Sequence, residues 1–190
     1  LVLSAMAAPR AAKALVAIAT TKGPAIVRSF EPDPASAKSA MVRFDQRHRP
    51  QGVDTHYAGF VREADRILAG SYRLPPLKSP VILEIEGEID QGDSWQLGAF
   101  ATQALWAAGR LAQQRSEAGR LLWLTGMIGL TEKSVRRVDH VPLKLDRSLG
   151  FFEDALRLGL AVTLVVPQDN AGEVDAAALP VGVTVRSEEH

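Results

Sequence analysis

The stretch LLWLTG, residues 121–126, runs through four consecutive apolar residues to a threonine and a glycine. A short apolar run that ends in a turn signal predicts a buried strand. Residues 160–166 form a second run of this kind, which ends at Pro167. Helical patterns alternate with strands along the chain, and the sequence therefore predicts an α/β or α+β fold of two or three layers.

Further elements surround these two runs. Residues 15–20 and 25–30 flank a Lys-Gly-Pro turn and predict a hairpin. The other predicted elements are strands at 81–86 and 181–186, long helices at 54–68, 94–112 and 147–158, and a short helix at 172–178. Residues 35–52 predict a loop or a short irregular element, and residues 126–144 predict a long hairpin or excursion.

The composition is that of an ordinary globular domain. The chain has 190 residues, of which 46% are apolar and 23% are charged. Its 22 basic residues balance 22 acidic ones, which argues against binding to nucleic acid or to an anionic membrane through bulk charge. Cysteine is absent, so disulfides, thiolate zinc sites and cysteine nucleophiles are excluded. The sequence lacks an apolar run near the roughly 20 residues of a membrane span, and a cytoplasmic location fits.

The beginning of the chain suggests a piece of a longer protein, because it starts at Leu1 rather than at methionine. Residues 1–14 are rich in alanine and predict a linker or the end of a preceding element. Residues 15–190 form the predicted domain.

Ser94 is the first candidate for chemistry. It lies in the turn between the predicted strand at 81–86 and the helix at 94–112. Backbone N–H groups converge at such a turn and can stabilise an oxyanion, which suits a nucleophilic serine. A plain helix N-cap is the alternative, since Asp93 and Gln96 have the spacing of a capping box. The local sequence by itself favours the N-cap.

Other acidic and histidine residues have simpler interpretations. Four carboxylates alternate along one stretch and could bind a hard cation: Glu84, Glu86, Glu88 and Asp90. The solvent face of an edge strand explains this alternation better. Asp139–His140 would complete a catalytic triad with Ser94 only if the three residues met in space. The remaining histidines lack ligand spacing, so the sequence predicts no metal site.

Basic residues cluster at Arg43, Arg47, His48 and Arg49. With a net charge of zero, this cluster predicts a solvated loop rather than contact with nucleic acid or an acidic partner. A glycine-rich phosphate loop followed by Lys-Ser/Thr is absent from the sequence, so this chain contains no ATPase module.

Three stretches, in their order and spacing, carry a resemblance to a known family. Residues 92–94, Gly-Asp-Ser, precede a helix that runs through Ala-Ala-Gly at 107–109. Residues 124–128 read Leu-Thr-Gly-Met-Ile. Residues 155–170 contain a helix that ends in glycine, a strand, and Pro-Gln-Asp-Asn. These stretches resemble the serine segment, the Met-Thr-Gly-Glu-Ile segment and the Ile-Pro-x-Glu-Asn segment of the proteolytic domain of Lon-type ATP-dependent proteases.

The resemblance covers nearly the whole chain after residue 14. It implies a fold of mixed sheets with packed helices, and a Ser–Lys dyad in which lysine acts as the general base. A lysine can do so when burial lowers its pKa. By the resemblance Ser94 is the nucleophile and Thr125 lies near the dyad, while Gly92, Asp93 and Trp95 form the turn around the oxyanion.

The dyad lysine is the point at which the sequence departs from the family. The family's lysine starts the helix that ends in glycine, and alignment on Gly159 and Pro167 puts Phe151 or Phe152 there. Neither phenylalanine can act as a base. Lys144 lies a few residues upstream and would reach the site only if the helix or loop were rearranged. In the serine turn, the Asp93 carboxylate and the bulky Trp95 also count against peptide cleavage.

Two functions follow from the resemblance. The favoured one is a degenerate Lon-like domain of a larger, ATPase-associated protein, which serves assembly or partner binding in a homo-oligomeric ring. The alternative is an active Ser–Lys endopeptidase that cleaves unfolded polypeptides, with Ser94 as nucleophile and Lys144 as base. Neither needs a cofactor within this domain, although an attached ATPase would use ATP and Mg²⁺. An unrelated α/β binding domain is a third interpretation.

Overall fold

The computed structural model describes residues 12–32, 40–44, 52–89, 92–129, 131 and 134–188. Strands in these ranges are β1 (Lys13–Ile18), β2 (Ala25–Pro32), β3 (Met41–Phe44), β4 (Val81–Glu86), β5 (Ala118–Leu124), β6 (Met127–Gly129), β7 (Ser134–Arg136), β8 (Ala161–Pro167) and β9 (Val183–Glu188). Seven of them form one mixed sheet in the order β3-β4-β2-β1-β5-β8-β9, and β6 pairs with β7 alone. The predicted hairpin is confirmed, since β1 and β2 are antiparallel neighbours.

Helices cover both faces of the large sheet. They are α1 (Gly52–Tyr72), α2 (Gln96–Ala107), α3 (Val141–Asp146) and α4 (Leu149–Arg157). Successive residues of the parallel strands β1, β5 and β8 point to opposite faces, and those strands are therefore almost wholly apolar. One core joins α1 and α2 to the sheet, and the other joins α3 and α4 to it. The mixed α and β architecture is confirmed, with three layers.

The helices in the described ranges include none that is both long and apolar enough to cross a membrane.

Two glycines end helices in the same way. After α2, the N–H of Arg110 donates to the Leu105 carbonyl while Gly109 adopts φ +68°. After α4, the N–H of Leu160 donates to the Ala155 carbonyl and Gly159 adopts φ +78°. Both are Schellman ends, which favour a residue with no β-carbon. The sequence predicts that this helix runs to residue 112. The Schellman end at Gly109 explains why α2 stops at Ala107 instead.

The segment before α4 departs from its prediction. Residues 126–144 were expected to form a long hairpin or excursion, but only β6 and β7 are a hairpin. Residues from Val141 onward form α3, which has Pro142 in its first turn. Proline is favoured in the first turn of a helix, because its fixed φ suits a helix and its missing N–H is not needed there. The predicted helix at 147–158 is thus α4 alone, and α3 precedes it.

Strand β3 replaces part of the loop that was predicted for residues 35–52. Its alternate residues Val42 and Phe44 are buried against the α1 side of the sheet. Strand β1 begins at Lys13, two residues earlier than expected. Of the basic cluster, Arg43 is on β3, whereas Arg47, His48 and Arg49 lie outside the described residues, as do residues 1–11.

Tyr57 of α1 provides a stability prediction. Its side chain is 1% exposed, and its hydroxyl has no hydrogen-bond partner among the described residues. Burial raises the pKa of Tyr57. We expect Tyr57→Phe to raise the free energy of unfolding by about 1 kcal/mol, because an unsatisfied hydroxyl is removed from the core.

The effect of Tyr57→Phe should grow in alkali. A tyrosine ionises near pH 10 in the unfolded chain but stays neutral when buried, so the parent loses stability above about pH 10. The phenylalanine variant lacks this loss. Urea denaturation at pH 7 and pH 10.5 measures both effects, and a variant less stable than the parent at pH 7 would show that the hydroxyl is satisfied.

Candidate active site

A buried lysine and threonine meet at the carboxyl end of β5. Thr125 directly follows that strand and is fully buried. Lys144, in α3, is 3% exposed, and its Nζ donates a hydrogen bond to Thr125 Oγ1 over 3.2 Å. The structure thus brings together two of the three residues that the sequence predicted as catalytic. Carboxyl ends of parallel strands are a common place for active sites.

The third residue, Ser94, is hydrogen-bonded through its backbone to Gly126, the residue that follows Thr125. The carbonyl of Ser94 accepts a hydrogen bond from Gly126 N over 3.0 Å, and Leu97 N donates to the Gly126 carbonyl, also over 3.0 Å. These two bonds attach the start of α2 to the residue after Thr125. Ser94 itself is half-buried in the turn that precedes α2.

At Gly126 the chain packs so closely against α2 and β7 that there is no room for a side chain. A β-carbon there would lie 2.9 Å from Val135 Cγ1 and 3.1 Å from Leu97 Cδ2. Gly98, in α2, is equally close to β1, since a β-carbon would lie 2.6 Å from Ile18 Cγ1. Glycines at these two positions let α2 approach the sheet closely, and the serine turn is thereby held at the strand ends.

The predicted capping box of α2 is wrong. Trp95 occupies the N-cap position, and no side chain caps the helix. The carbonyl of Asp93 accepts from Gln96 N, while Gln96 Oε1 accepts from Ile128 N over 2.9 Å. The Gln96 side chain therefore connects α2 to β6 instead of capping its own helix. Ser94 is consequently not an N-cap residue.

The residues around Ser94 differ in burial. Gly92 is exposed with φ +108°, and Asp93 is half-buried. Trp95 is 2% exposed, and its ring packs against Phe60 and Tyr57 of α1 with centroid separations of 5.2 and 6.0 Å. The bulk of Trp95 is thus accommodated in the core between α1 and α2.

The two phenylalanines at the aligned lysine position belong to the other core. Phe152 is fully buried and stands edge-on to Trp123, with ring centroids 5.8 Å apart. Phe151 is half-buried against Phe152. The alignment put a phenylalanine at the lysine position and left Lys144 as an upstream candidate, because α3 is a separate helix. Pro142 is the signal in the sequence that a helix begins just before Lys144.

The other candidate clusters do not form sites in the described residues. Glu84 accepts from Ser29 Oγ, and Glu86 and Glu88 pair with Arg28 and Lys22. Asp139 and His140 are exposed at the start of α3. Within the described ranges, groups of three or more potential metal ligands are absent. Asp90, His48 and His190 lie outside those ranges.

The chain matches no model of a known protein family, and no curated protein is significantly similar to it. The contacts of Ser94, Thr125 and Lys144 are therefore the basis on which a function can be argued.

Proposed function

We propose that the chain is a hydrolase of the Ser–Lys type, with the domain architecture of Lon-type proteases and polypeptides as substrates. The observation that carries the proposal is the hydrogen bond from buried Lys144 to Thr125, one residue from the glycine that pairs with Ser94. A lysine side chain with this degree of burial is rare unless it has a partner or a function.

The proposed chemistry gives each residue a separate role. Ser94 Oγ attacks the substrate carbonyl, and the neutral amine of Lys144 accepts the hydroxyl proton. The Lys144 ammonium then returns this proton to the leaving amine as the peptide C–N bond breaks, and water, deprotonated in turn by Lys144, hydrolyses the acyl-enzyme and restores Ser94. Removal from water favours the neutral form of an amine over the ammonium. The neutral form is the one that can accept a proton. Thr125 Oγ1 accepts a hydrogen bond from Nζ and so directs the amine. Backbone N–H groups of the turn from Gly92 to Trp95 would stabilise the oxyanion.

A second candidate function is favoured by Asp93. A carboxylate next to the nucleophile opposes the negative charge that develops on the substrate oxygen. Under this alternative the domain is a degenerate Lon-like fold that serves assembly of a ring or binding of a partner protein, with ATP and Mg²⁺ held by an attached ATPase. Ser94 is then an ordinary turn residue.

A fluorophosphonate probe distinguishes the two functions, because it reacts covalently with activated serines. We expect the folded chain to be labelled on Ser94, as identified by peptide mass spectrometry, and the heat-denatured chain to be unlabelled. Cleavage of fluorescein-labelled casein should accompany the labelling. Ser94→Ala should remove both activities.

Ser29→Ala is the matched control, because Ser29 is also half-buried but lies on β2. It should leave labelling and cleavage at the parent level. A folded parent chain that neither reacts with the probe nor cleaves casein would overturn the hydrolase proposal in favour of the degenerate domain.

A further inference from the structure

We infer that Ser148 and Asn170 are positioning residues, which fix Lys144 by anchoring the two ends of α3. The inference rests on the proposed function, in which Lys144 must face Ser94. Helix α3 has only six residues. An isolated helix of that length has little stability of its own, so its place must be set by contacts from outside.

Ser148 forms the anchor behind α3. Its Oγ donates to the backbone carbonyl of Lys144 over 2.7 Å and accepts from Trp123 Nε1 over 3.0 Å. Ser148 and Trp123 are both fully buried. Trp123 belongs to β5, the strand that leads into Thr125. One hydroxyl thus connects the backbone of the lysine to the strand that carries its hydrogen-bond acceptor.

Asn170 forms the anchor in front of α3. Its amide oxygen accepts from Val138 N over 3.0 Å, and its Nδ2 donates to the Val138 carbonyl over 2.8 Å. Nδ2 also donates to Glu173 Oε1, which is paired with Arg137. Asn170 is fully buried and follows β8. The approach to α3 is therefore held at the carboxyl end of a second parallel strand.

Both anchors form hydrogen bonds with the backbone at or near α3, and neither contacts the side chain of Lys144 in these bonds. Loss of either would leave buried polar groups unpaired and allow α3 to shift. A displacement of about 1 Å in a reacting group is enough to cost a factor of about 100 in rate. The effect should therefore appear in the rate of reaction at Ser94 and not in the affinity of the probe.

The test compares Ser148→Ala and Asn170→Ala with the parent chain. We expect each to lower the maximal rate of fluorophosphonate labelling at least about tenfold, with the apparent binding constant of the probe unchanged. In parallel, reductive methylation followed by peptide mass spectrometry should show Lys144 protected in the parent and modified in both variants.

Leu68→Ala is the control for lost stability, because Leu68 is a core residue of α1 that is 2% exposed. It should lower the unfolding midpoint yet preserve the labelling rate and the protection of Lys144. If Ser148→Ala does not fold, Trp123→Phe removes one of its two hydrogen bonds, the one that ties Ser148 to β5, and keeps the bond from Ser148 to the Lys144 carbonyl. Labelling and protection at the level of Leu68→Ala in every folded anchor variant would overturn the inference.

The two proposals can fail separately. A parent chain that is not labelled contradicts the hydrolase, and the methylation of Lys144 then decides alone whether Ser148 and Asn170 hold it. A labelled parent whose anchor variants react at the control rate contradicts only the anchors.

Discussion

Lys144→Met is expected to lower the rate of probe labelling at Ser94 by about 10³-fold or more, because it removes the base and leaves the nucleophile. Methionine matches the length and apolar stem of lysine, so the chain should still fold. Thr125 Oγ1 loses its donor, a change of about 1 kcal/mol in the free energy of unfolding. Labelling kinetics and urea denaturation measure the two effects.

Lys144→Arg separates base catalysis from charge. Arginine retains a positive charge and hydrogen-bond donors but stays protonated in proteins, so it cannot accept the serine proton. We expect it to be as inactive as Lys144→Met. Lys78→Met removes an exposed lysine and should have no effect. The base assignment is wrong if either Lys144 variant labels Ser94 at a rate close to that of the parent.

In the proposed mechanism Ser94 and Lys144 act as a unit, so the double variant should be no worse than Ser94→Ala alone. Additive losses in the cleavage of casein would mean that the two side chains work independently.

Phe152→Lys is expected to destabilise the chain by about 4 kcal/mol or more. It deletes a fully buried aromatic ring that packs on Trp123, which alone costs about 3–5 kcal/mol. It also buries an ammonium in an apolar core, and such a charge is costly unless paired. The substitution restores the lysine that alignment with the Lon family expects, yet it should yield an unfolded or weakly folded chain without additional activity. Circular dichroism during urea denaturation provides the measurement.

Phe152→Leu is the matched control, with an expected loss of about 1.5 kcal/mol or less, since it remains apolar. Phe151→Lys should be milder than Phe152→Lys, because Phe151 is only half-buried. A stably folded Phe152→Lys that labels Ser94 faster than the parent would place position 152 in the active site and remove the role assigned to Lys144.

The resemblance to Lon proteolytic domains and the geometry of the structure favour different functions for the same residues. Alignment placed a phenylalanine where the base should be, which favoured a degenerate domain. The structure assigns Phe152 to the core and places Lys144 on Thr125, which favours the active hydrolase. Probe labelling of Ser94 decides between them, because a degenerate domain has no reason to activate its serine.

Local sequence was enough to predict most strands of the large sheet, the β1–β2 hairpin and the glycine end of α4, but not β3 or the end of α2. Apolar runs such as 121–124 predict β5, because a buried strand requires apolar residues. Gly159 predicts the end of α4, because the left-handed backbone at a helix end favours glycine. The same local rules failed at α3, which is too short to show a periodic pattern, and at Asp93, whose capping box does not form.

Which residues meet at the candidate site depends on long-range packing that the sequence does not show. The contact between Lys144 and Thr125 spans 19 positions, and the pairing of Ser94 with Gly126 joins two further segments. Sequence spacing carries no information about such contacts, because they depend on how β5, α2 and α3 pack rather than on the propensity of any one of them. The long-range packing of three elements, at Gly126, Ser148 and Asn170, is what places a buried amine on Thr125, next to the glycine that pairs with Ser94.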